Sequence, residues 1–337
     1  MRLLLSCLLL VLALLSLSTT AAAQKPAGKL APKPLYHDPV YDGAADPVII
    51  WNKKAKKWWM FYTNRRATDT AATGVTWVHG TRIGIAESSD GATWIYRDTA
   101  NINYRPQPGY TFWAPDVVEA NGQYHMFLTY VPGVFTDWQH PRTIVHLTSP
   151  DLLNWQYVNT LPLANDKVID ASVLRLPDGT WRLWYNNERD HKYTYYADSP
   201  DLAHWTDHGL ALAERGEGPK VFRWQGQYWL IMDPWKGLAA YHSTDLLHWI
   251  AQPERLLEAP GQGRDDQAIG GHADVVVSGD RAYLFYFTHP GRTKSNPAPA
   301  NSIAAKRSVI QVVELHYDNG QLTCDRDQPT YVRLKAR

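Results

Sequence analysis

Ser88-Ser89-Asp90-Gly91-Ala92-Thr93-Trp94 decides the fold, because it recurs. Ser149-Pro150-Asp151-Leu152-Leu153-Asn154-Trp155, Ser199-Pro200-Asp201-Leu202-Ala203-His204-Trp205 and Ser243-Thr244-Asp245-Leu246-Leu247-His248-Trp249 repeat its pattern, Ser-x-Asp-(Gly/Leu)-x-x-Trp. Ser-x-Asp suits a turn in which the Asp side chain accepts nearby backbone N–H groups. The Trp then opens the next strand. A second signature occurs five times: aromatic, β-rich runs at Trp58–Thr63, Tyr124–Tyr130, Trp181–Asn186, Tyr228–Met232 and Tyr283–Thr288. Each follows a turn, such as Asn121-Gly122 or Gln225-Gly226, and each turn follows a short apolar strand, such as Val48–Trp51 or Val221–Trp224. Strand, tight turn, strand, third strand and Ser-x-Asp turn describe an antiparallel blade. Five units at a spacing of ~45–60 residues predict an all-β, five-bladed β-propeller with a single central-channel site. Amphipathic helix patterns are nearly absent, which argues against a TIM barrel or a doubly wound sheet. A β-sandwich would not require a fivefold repeat.

Outside the repeat, Arg2, the apolar run from Leu3 to Leu17 and Ala21-Ala22-Ala23 read as a secretory signal peptide over residues 1–23. Residues 24–36, with Lys and Pro among Ala and Gly, read as a flexible leader, and residues 37–337 as the propeller. The expected location is secreted or periplasmic. Cleavage removes one basic residue and no acid, leaving 33 basic and 33 acidic residues. That balance favours neither nucleic acid nor an anionic membrane surface, and no second segment reads as a membrane span. Only Cys324 remains after cleavage, so an internal disulfide is excluded. The 15 Trp and 19 Tyr against 7 Phe suit packed strands and also the faces of sugar rings.

Aligning the blades on the first aromatic of the second strand, and stepping back 11 residues (12 in blade one, whose turn is longer), gives Asp46, Trp113, Asp170, Glu217 and His272. This position starts the innermost strand, where blades converge on the axis. Three carboxylic acids in one ring repel one another, and burial raises their pKa values further, an arrangement associated with functional sites. Two carboxyls suffice for glycoside hydrolysis: one protonates the departing oxygen, the other activates water or attacks the anomeric carbon. A third holds a proton on the acid by proximity. Trp113 suits the apolar face of a sugar. His272 suits a sugar hydroxyl, a channel water or a cation. Asp38-Pro39 rivals Asp46-Pro47, but it precedes any β run.

These residues resemble glycoside hydrolase family 43 and related five-bladed families over about residues 40–317. The matching pieces are Ala45-Asp46-Pro47, Trp113-Ala114-Pro115-Asp116-Val117, Ile169-Asp170-Ala171-Ser172-Val173, Glu217-Gly218-Pro219-Lys220-Val221 and Gly271-His272. The resemblance implies an inverting glycosidase with Asp46 as general base, Asp170 as positioner and pKa modulator, and Glu217 as general acid. It implies exo-release of α-L-arabinofuranosyl or β-D-xylosyl units from oligosaccharides or polysaccharides. It requires no cofactor, and allows calcium or another cation in the channel, faced by His272 through water. It leaves the oligomeric state open.

The sequence departs from that pattern where Ala-Ser follows Asp170, and in two long segments, Asn64–Thr81 and Pro132–Arg142. Arg65, Arg66, His140 and Arg142 in these segments suggest extra walls for an acidic or anhydro sugar. A 3,6-anhydro-α-L-galactosidase acting on agar oligosaccharides is therefore the main alternative enzyme. A retaining fructosidase lacks support from any Asn-Asp-Pro-Asn-Gly or Glu-Cys run. A non-catalytic sugar-binding propeller predicts one aromatic pocket per blade. Asp116 either bonds substrate or ties blades together. Arg292 is expected to reach the mouth and hold sugar hydroxyls, and Arg189 to sit in a surface turn.

Overall fold

The computed structural model describes residues 27–336, so the expected signal peptide lies outside the described residues. Five antiparallel sheets follow one another along the chain. Their innermost strands are Ala44–Asn52, Thr111–Ala120, Val168–Arg175, Glu217–Trp224 and Gly271–Ser278. These strands touch in the cyclic order one, two, three, four, five, one. That closed ring is a five-bladed β-propeller. Blade two gains a fifth strand, Asn101–Asn103, which runs parallel to Asn154–Thr160.

The apolar core lies between blades. Trp59 and Phe61 of blade one pack with Met126, Leu128 and Trp155 of blade two. Trp229 and Ile231 of blade four pack with Leu284 and Tyr286 of blade five. Second strands are therefore buried on both faces, which explains their unbroken aromatic and β-branched runs.

The Ser-x-Asp repeat is the outer corner of each of the first four blades. Ser88 Oγ accepts the N–H groups of Asp90 and Gly91, and Asp90 Oδ1 accepts those of Ala92 and Thr93. The same bonds recur at Ser149/Asp151, Ser199/Asp201 and Ser243/Asp245. The residue after each Asp has positive φ: Gly91 +78°, Leu152 +68°, Leu202 +70° and Leu246 +64°. A left-handed leucine costs about 1–2 kcal/mol, and the converging hydrogen bonds hold it there. The Trp94, Trp155 and Trp205 indoles close their corners by donating to the carbonyls of Gly91, Leu152 and Leu202. Blade five instead turns at Asn319-Gly320, both with positive φ, the pair that a two-residue hairpin favours.

Residues 29–36 correct the expected leader. Lys29–Leu30 pairs with Tyr331–Val332, Tyr36 bridges Ile310, and Leu35 and Tyr36 are buried between blades one and five. The Lys/Pro/Ala composition masks this two-residue apolar anchor. Among the described residues no helix is long and apolar enough to cross a membrane.

Candidate active site

Each innermost strand carries one extra residue near its start, seen as a register shift against its neighbour. The bulges fall at Asp46-Pro47, Ala114-Pro115, Asp170-Ala171, Gly218-Pro219 and His272. Asp46, Ala114, Asp170 and Gly218 have φ of +53°, +38°, +60° and +59°. Bulges re-aim side chains and are common beside active sites. Aspartate tolerates the left-handed region better than most residues. Proline at the next position removes an N–H that the bulge leaves out of the ladder.

The equivalent ring positions are therefore Asp46, Ala114, Asp170, Gly218 and His272. Trp113 and Glu217 stand one residue before theirs, which corrects the expected alignment. Blades two, four and five all turn in two residues, at Asn121-Gly122, Gln225-Gly226 and Gly279-Asp280. The reference aromatic is the second residue after the turn in blades two and four and the third in blade five, so a fixed step of 11 lands one residue early only in blades two and four. Successive blades latch the bulges. Thr63 Oγ1 accepts the Ala114 N–H (2.8 Å), Thr129 Oγ1 that of Asp170 (3.1 Å), Asp170 Oδ2 that of Gly218 (3.0 Å) and Asp233 Oδ2 that of His272 (3.0 Å).

The ring brings Asp46, Asp170 and His272 together: His272 Nδ1 lies 3.6 Å from Asp46 Oδ1 and 4.0 Å from Asp170 Oδ2. Glu217 adjoins Gly218, whose N–H binds Asp170. Asp46 and Asp170 part company electrostatically. Burial alone would raise the Asp46 pKa, but Arg65, His272 and a hydrogen bond from Thr63 outweigh it and hold it below the usual value. Arg65 Nη2 reaches both Asp46 oxygens, at 2.9 and 3.2 Å. Burial pushes Asp170 up to about 7, against the pull of His272 and with help from Glu217 and Asp46. Asp233, across the hairpin from Glu217, is also pushed up to about 7 by burial and by Glu217. The Glu217 side chain is 28% exposed against 7% for Asp46, so it is the carboxyl open to a ligand.

Around Glu217 the sequence reading missed three residues. Lys192 Nζ stands 3.6 Å from Glu217 Oε2 and 2.6 Å from Glu188 Oε1. Burial would lower the Lys192 pKa, but Glu217 and Glu188 raise it further. Asp233 Oδ1 accepts the Trp235 N–H at 2.7 Å, fixing Trp235 at φ +59° with 38% of its surface exposed. Lys192 and Arg215 approach the Trp235 ring at 5.4 and 5.3 Å. The Asp233-Pro234-Trp235 run after a β strand was the available signal.

The two insertions pack on each other, with Val75 N–H donating to Thr136 O at 3.1 Å. Arg65 starts the first insertion and reaches Asp46. Arg142 ends the second, fully buried, ion-paired to Glu188 and 5.4 Å from the Trp113 ring. Arg66 instead ties its own loop, bonding Thr76 O, His79 O and Asp69. His140 stacks on Phe135. Trp113 is 9% exposed, donates to Val78 O at 2.6 Å and packs against His79 and Trp138. It builds the wall and offers little free face.

Arg292 lies 5.7 Å from the Trp77 ring, with its Nε donating to Ala305 O. Partial burial and nearby Arg65 push it down to about 10. Arg189 sits in an exposed ion pair with Asp166. Asp38 accepts the Val40 and Tyr41 N–H groups and the Tyr62 hydroxyl, a structural role away from the ring. Asp116 ties blades together: it accepts the Val173 N–H at 2.6 Å and pairs with Lys220 at 2.8 Å.

Among the described residues no three His, Cys, Asp or Glu side chains gather as metal ligands. The axial carboxylates Asp116 and Asp274 are already bridged by Lys220 Nζ, 2.8 Å from each. A cavity of about 430 Å³ occupies the channel's other end, lined by Val48, Val117, Val173, Val221 and Val275 among others. Lys220 and Asp274 line it too, with Lys53, Glu119, Arg175 and Arg223, whereas none of Asp46, Asp170, Glu217 and His272 does.

No family model matches the chain. An alignment of 151 positions, which covers 38% of this chain and 27% of the other, is 29% identical to a probable sucrose-6-phosphate hydrolase of Psychromonas ingrahamii, so the chain spans well under two thirds of that relative's length. Among solved structures, a thermostable family-43 glycoside hydrolase aligns over 89% of this chain and 98% of its own, with TM-score 0.65 and 19% identity. A family-43 enzyme from Xanthomonas citri, complexed with xylose, aligns over 88% and 92%, with TM-score 0.61 and 14% identity. A family-32 β-fructofuranosidase of Bombyx mori aligns over 84% of this chain and 62% of its own, with TM-score 0.62 and 15% identity. The chain thus has the five-bladed propeller fold that these family-43 and family-32 structures share.

Proposed function

We propose that this chain is an exo-acting, inverting glycoside hydrolase. Asp46 activates water, Glu217 protonates the leaving oxygen, and Asp170 orients Glu217 and keeps a proton in its neighbourhood. The carrying observation is that Asp46 and Asp170, both within 4.0 Å of His272, are driven to opposite protonation states. Carboxyls whose surroundings separate their pKa values mark a site built for proton transfer. Asp46 is the ionised member that serves as base, and Glu217, the exposed carboxyl beside Asp170, delivers the proton. The packed insertions wall one side of the mouth, which favours removal of a terminal sugar over cutting within a chain. The exposed Trp235 face beside Glu217 suits the leaving group. The best-supported sugar is a terminal α-L-arabinofuranosyl or β-D-xylosyl unit, in keeping with the xylosidase/arabinofuranosidase named among the structural neighbours.

Asp46→Ala and Glu217→Ala should each lower kcat by about 10²–10⁴-fold while the protein remains folded by circular dichroism. Proton NMR of the first product should show the inverted anomer. Full activity in Glu217→Gln would remove the acid assignment. Nitrophenyl furanosides and pyranosides, with agar oligosaccharides alongside, identify the sugar.

The similarity to a sucrose-6-phosphate hydrolase and a β-fructofuranosidase favours one second reading, retention with Asp46 as nucleophile. Retention needs the two carboxyls about 5–5.5 Å apart, and inversion about 6.5–9.5 Å. The product anomer separates them.

A further inference from the structure

We propose that Lys220 is the channel's resident cation: its ammonium does the work of a metal ion, holding the five inner strands so that the carboxyl ring above keeps its geometry. The inference rests on the fold and the channel wall, not on the assignment of a reaction.

Two residues after each bulge lies a second ring, made by Val48, Asp116, Ser172, Lys220 and Asp274. Three of its members repeat one device, accepting a backbone N–H from the next blade. Asp116 Oδ2 takes that of Val173 (2.6 Å), Ser172 Oγ that of Val221 (3.0 Å) and Asp274 Oδ2 that of Ile49 (2.8 Å). Blades two, three and five are thereby stitched to blades three, four and one. Lys220 of blade four completes the set, with Nζ at 2.8 Å from both Asp116 Oδ1 and Asp274 Oδ1. One ammonium and its two carboxylates therefore connect all five blades.

Two aspartates this buried, each 2% exposed, need a positive partner at the axis. The chain supplies it covalently. Burial opposes the charge on Lys220, but Asp116 and Asp274 outweigh it and raise its pKa above the usual lysine value, which favours the charged form. The bulge residues Asp46, Asp170 and His272 stand two positions before Val48, Ser172 and Asp274, and Glu217 three before Lys220. Movement in the lower ring therefore shifts the upper one. A divalent ion in the same place would meet the ammonium and be repelled.

The experiment measures melting temperature in chelator and in millimolar calcium, for the wild type and Lys220→Met. The wild type should melt at the same temperature in both. Lys220→Met leaves two buried carboxylates facing one another, so its melting point in chelator should fall by about 5–10 °C. Calcium should then restore several degrees, by occupying the vacated position between Asp116 and Asp274. If Lys220→Met does not fold, the neutral triple variant Lys220→Met/Asp116→Asn/Asp274→Asn should fold, because it removes the unpaired charge. A wild type that loses stability in chelator and regains it with calcium overturns the proposal. So does a Lys220→Met protein as stable as wild type and indifferent to calcium, or a triple variant as unfolded as the single one. A loss of glycosidase activity assigned to Asp46 or Glu217 touches none of these readouts.

Discussion

Asp46 and Asp170 are the same residue type at the same bulge position, with φ of +53° and +60°, so their difference comes from what surrounds them. Arg65 faces Asp46; a backbone N–H and other carboxyls face Asp170. The two opposite shifts have opposite consequences for stability. A buried aspartate whose folded pKa is about 7, against 3.8 in the unfolded chain, binds more protons folded than unfolded between those values. Its contribution is fully present below about pH 4 and lost as pH rises toward 7. Asp46, shifted down, contributes above its unfolded pKa and loses that contribution as pH falls through its folded one. Asp170→Asn cannot ionise. It should therefore gain on wild type by about 2–3 kcal/mol more at pH 8 than at pH 5, read from urea melts at both, while turnover falls. Equal melts at the two pH values would show that Asp170 ionises freely in the folded protein.

At the scale of elements, the site is made by bulges, and bulges were only half visible. The Asp-Pro and Gly-Pro pairs at residues 46–47 and 218–219 announce an irregular start to a strand. A fixed step from the first aromatic places Trp113 and Glu217 one residue early, because that aromatic lies at different depths in the five hairpins. Glu217 still stands beside Gly218 of the ring, since a shift of one along a bulged strand leaves the residue next to the bulge. Asp233, Lys192 and Trp235 stayed hidden because they lie outside the innermost strands, and nothing in their spacing says that two turns meet beside Glu217. The first insertion was noticed for its arginines, and Arg65 is the one that matters chemically. Removing it takes away the strongest charge that keeps Asp46 ionised. The acidic limb of the kcat/KM profile should move to higher pH in Arg65→Met, with the basic limb unmoved. A profile shifted at both limbs, or at neither, would mean that Arg65 holds the loop rather than the base.

At the scale of the whole molecule, the fivefold repeat made the architecture legible, while the way the ring closes was not. Repeats encode contacts between equivalent neighbours, and four of the five blade seams are also joined by the chain. The seam between blades five and one is not. Its strap is written in Leu35 and Tyr36, two apolar residues inside a stretch whose Lys, Pro and Gly content reads as a tether. Tyr36 is buried there, bridges Ile310, and holds the Tyr62 hydroxyl at 2.9 Å. The same seam separates Asp46 in blade one from His272 in blade five, 3.6 Å apart. Loosening the strap should therefore damage the site before it unfolds the protein. Tyr36→Ala should cost about 3–5 kcal/mol, as large-to-small core substitutions of aromatics do. Its activity should vanish several degrees below its melting temperature, because the seam opens locally at lower free energy than the whole ring. Leu230→Ala, an equally buried truncation in the core between blades three and four, should lose activity and structure together. Matching activity and melting curves for Tyr36→Ala would show that the five-to-one seam opens only when every blade does.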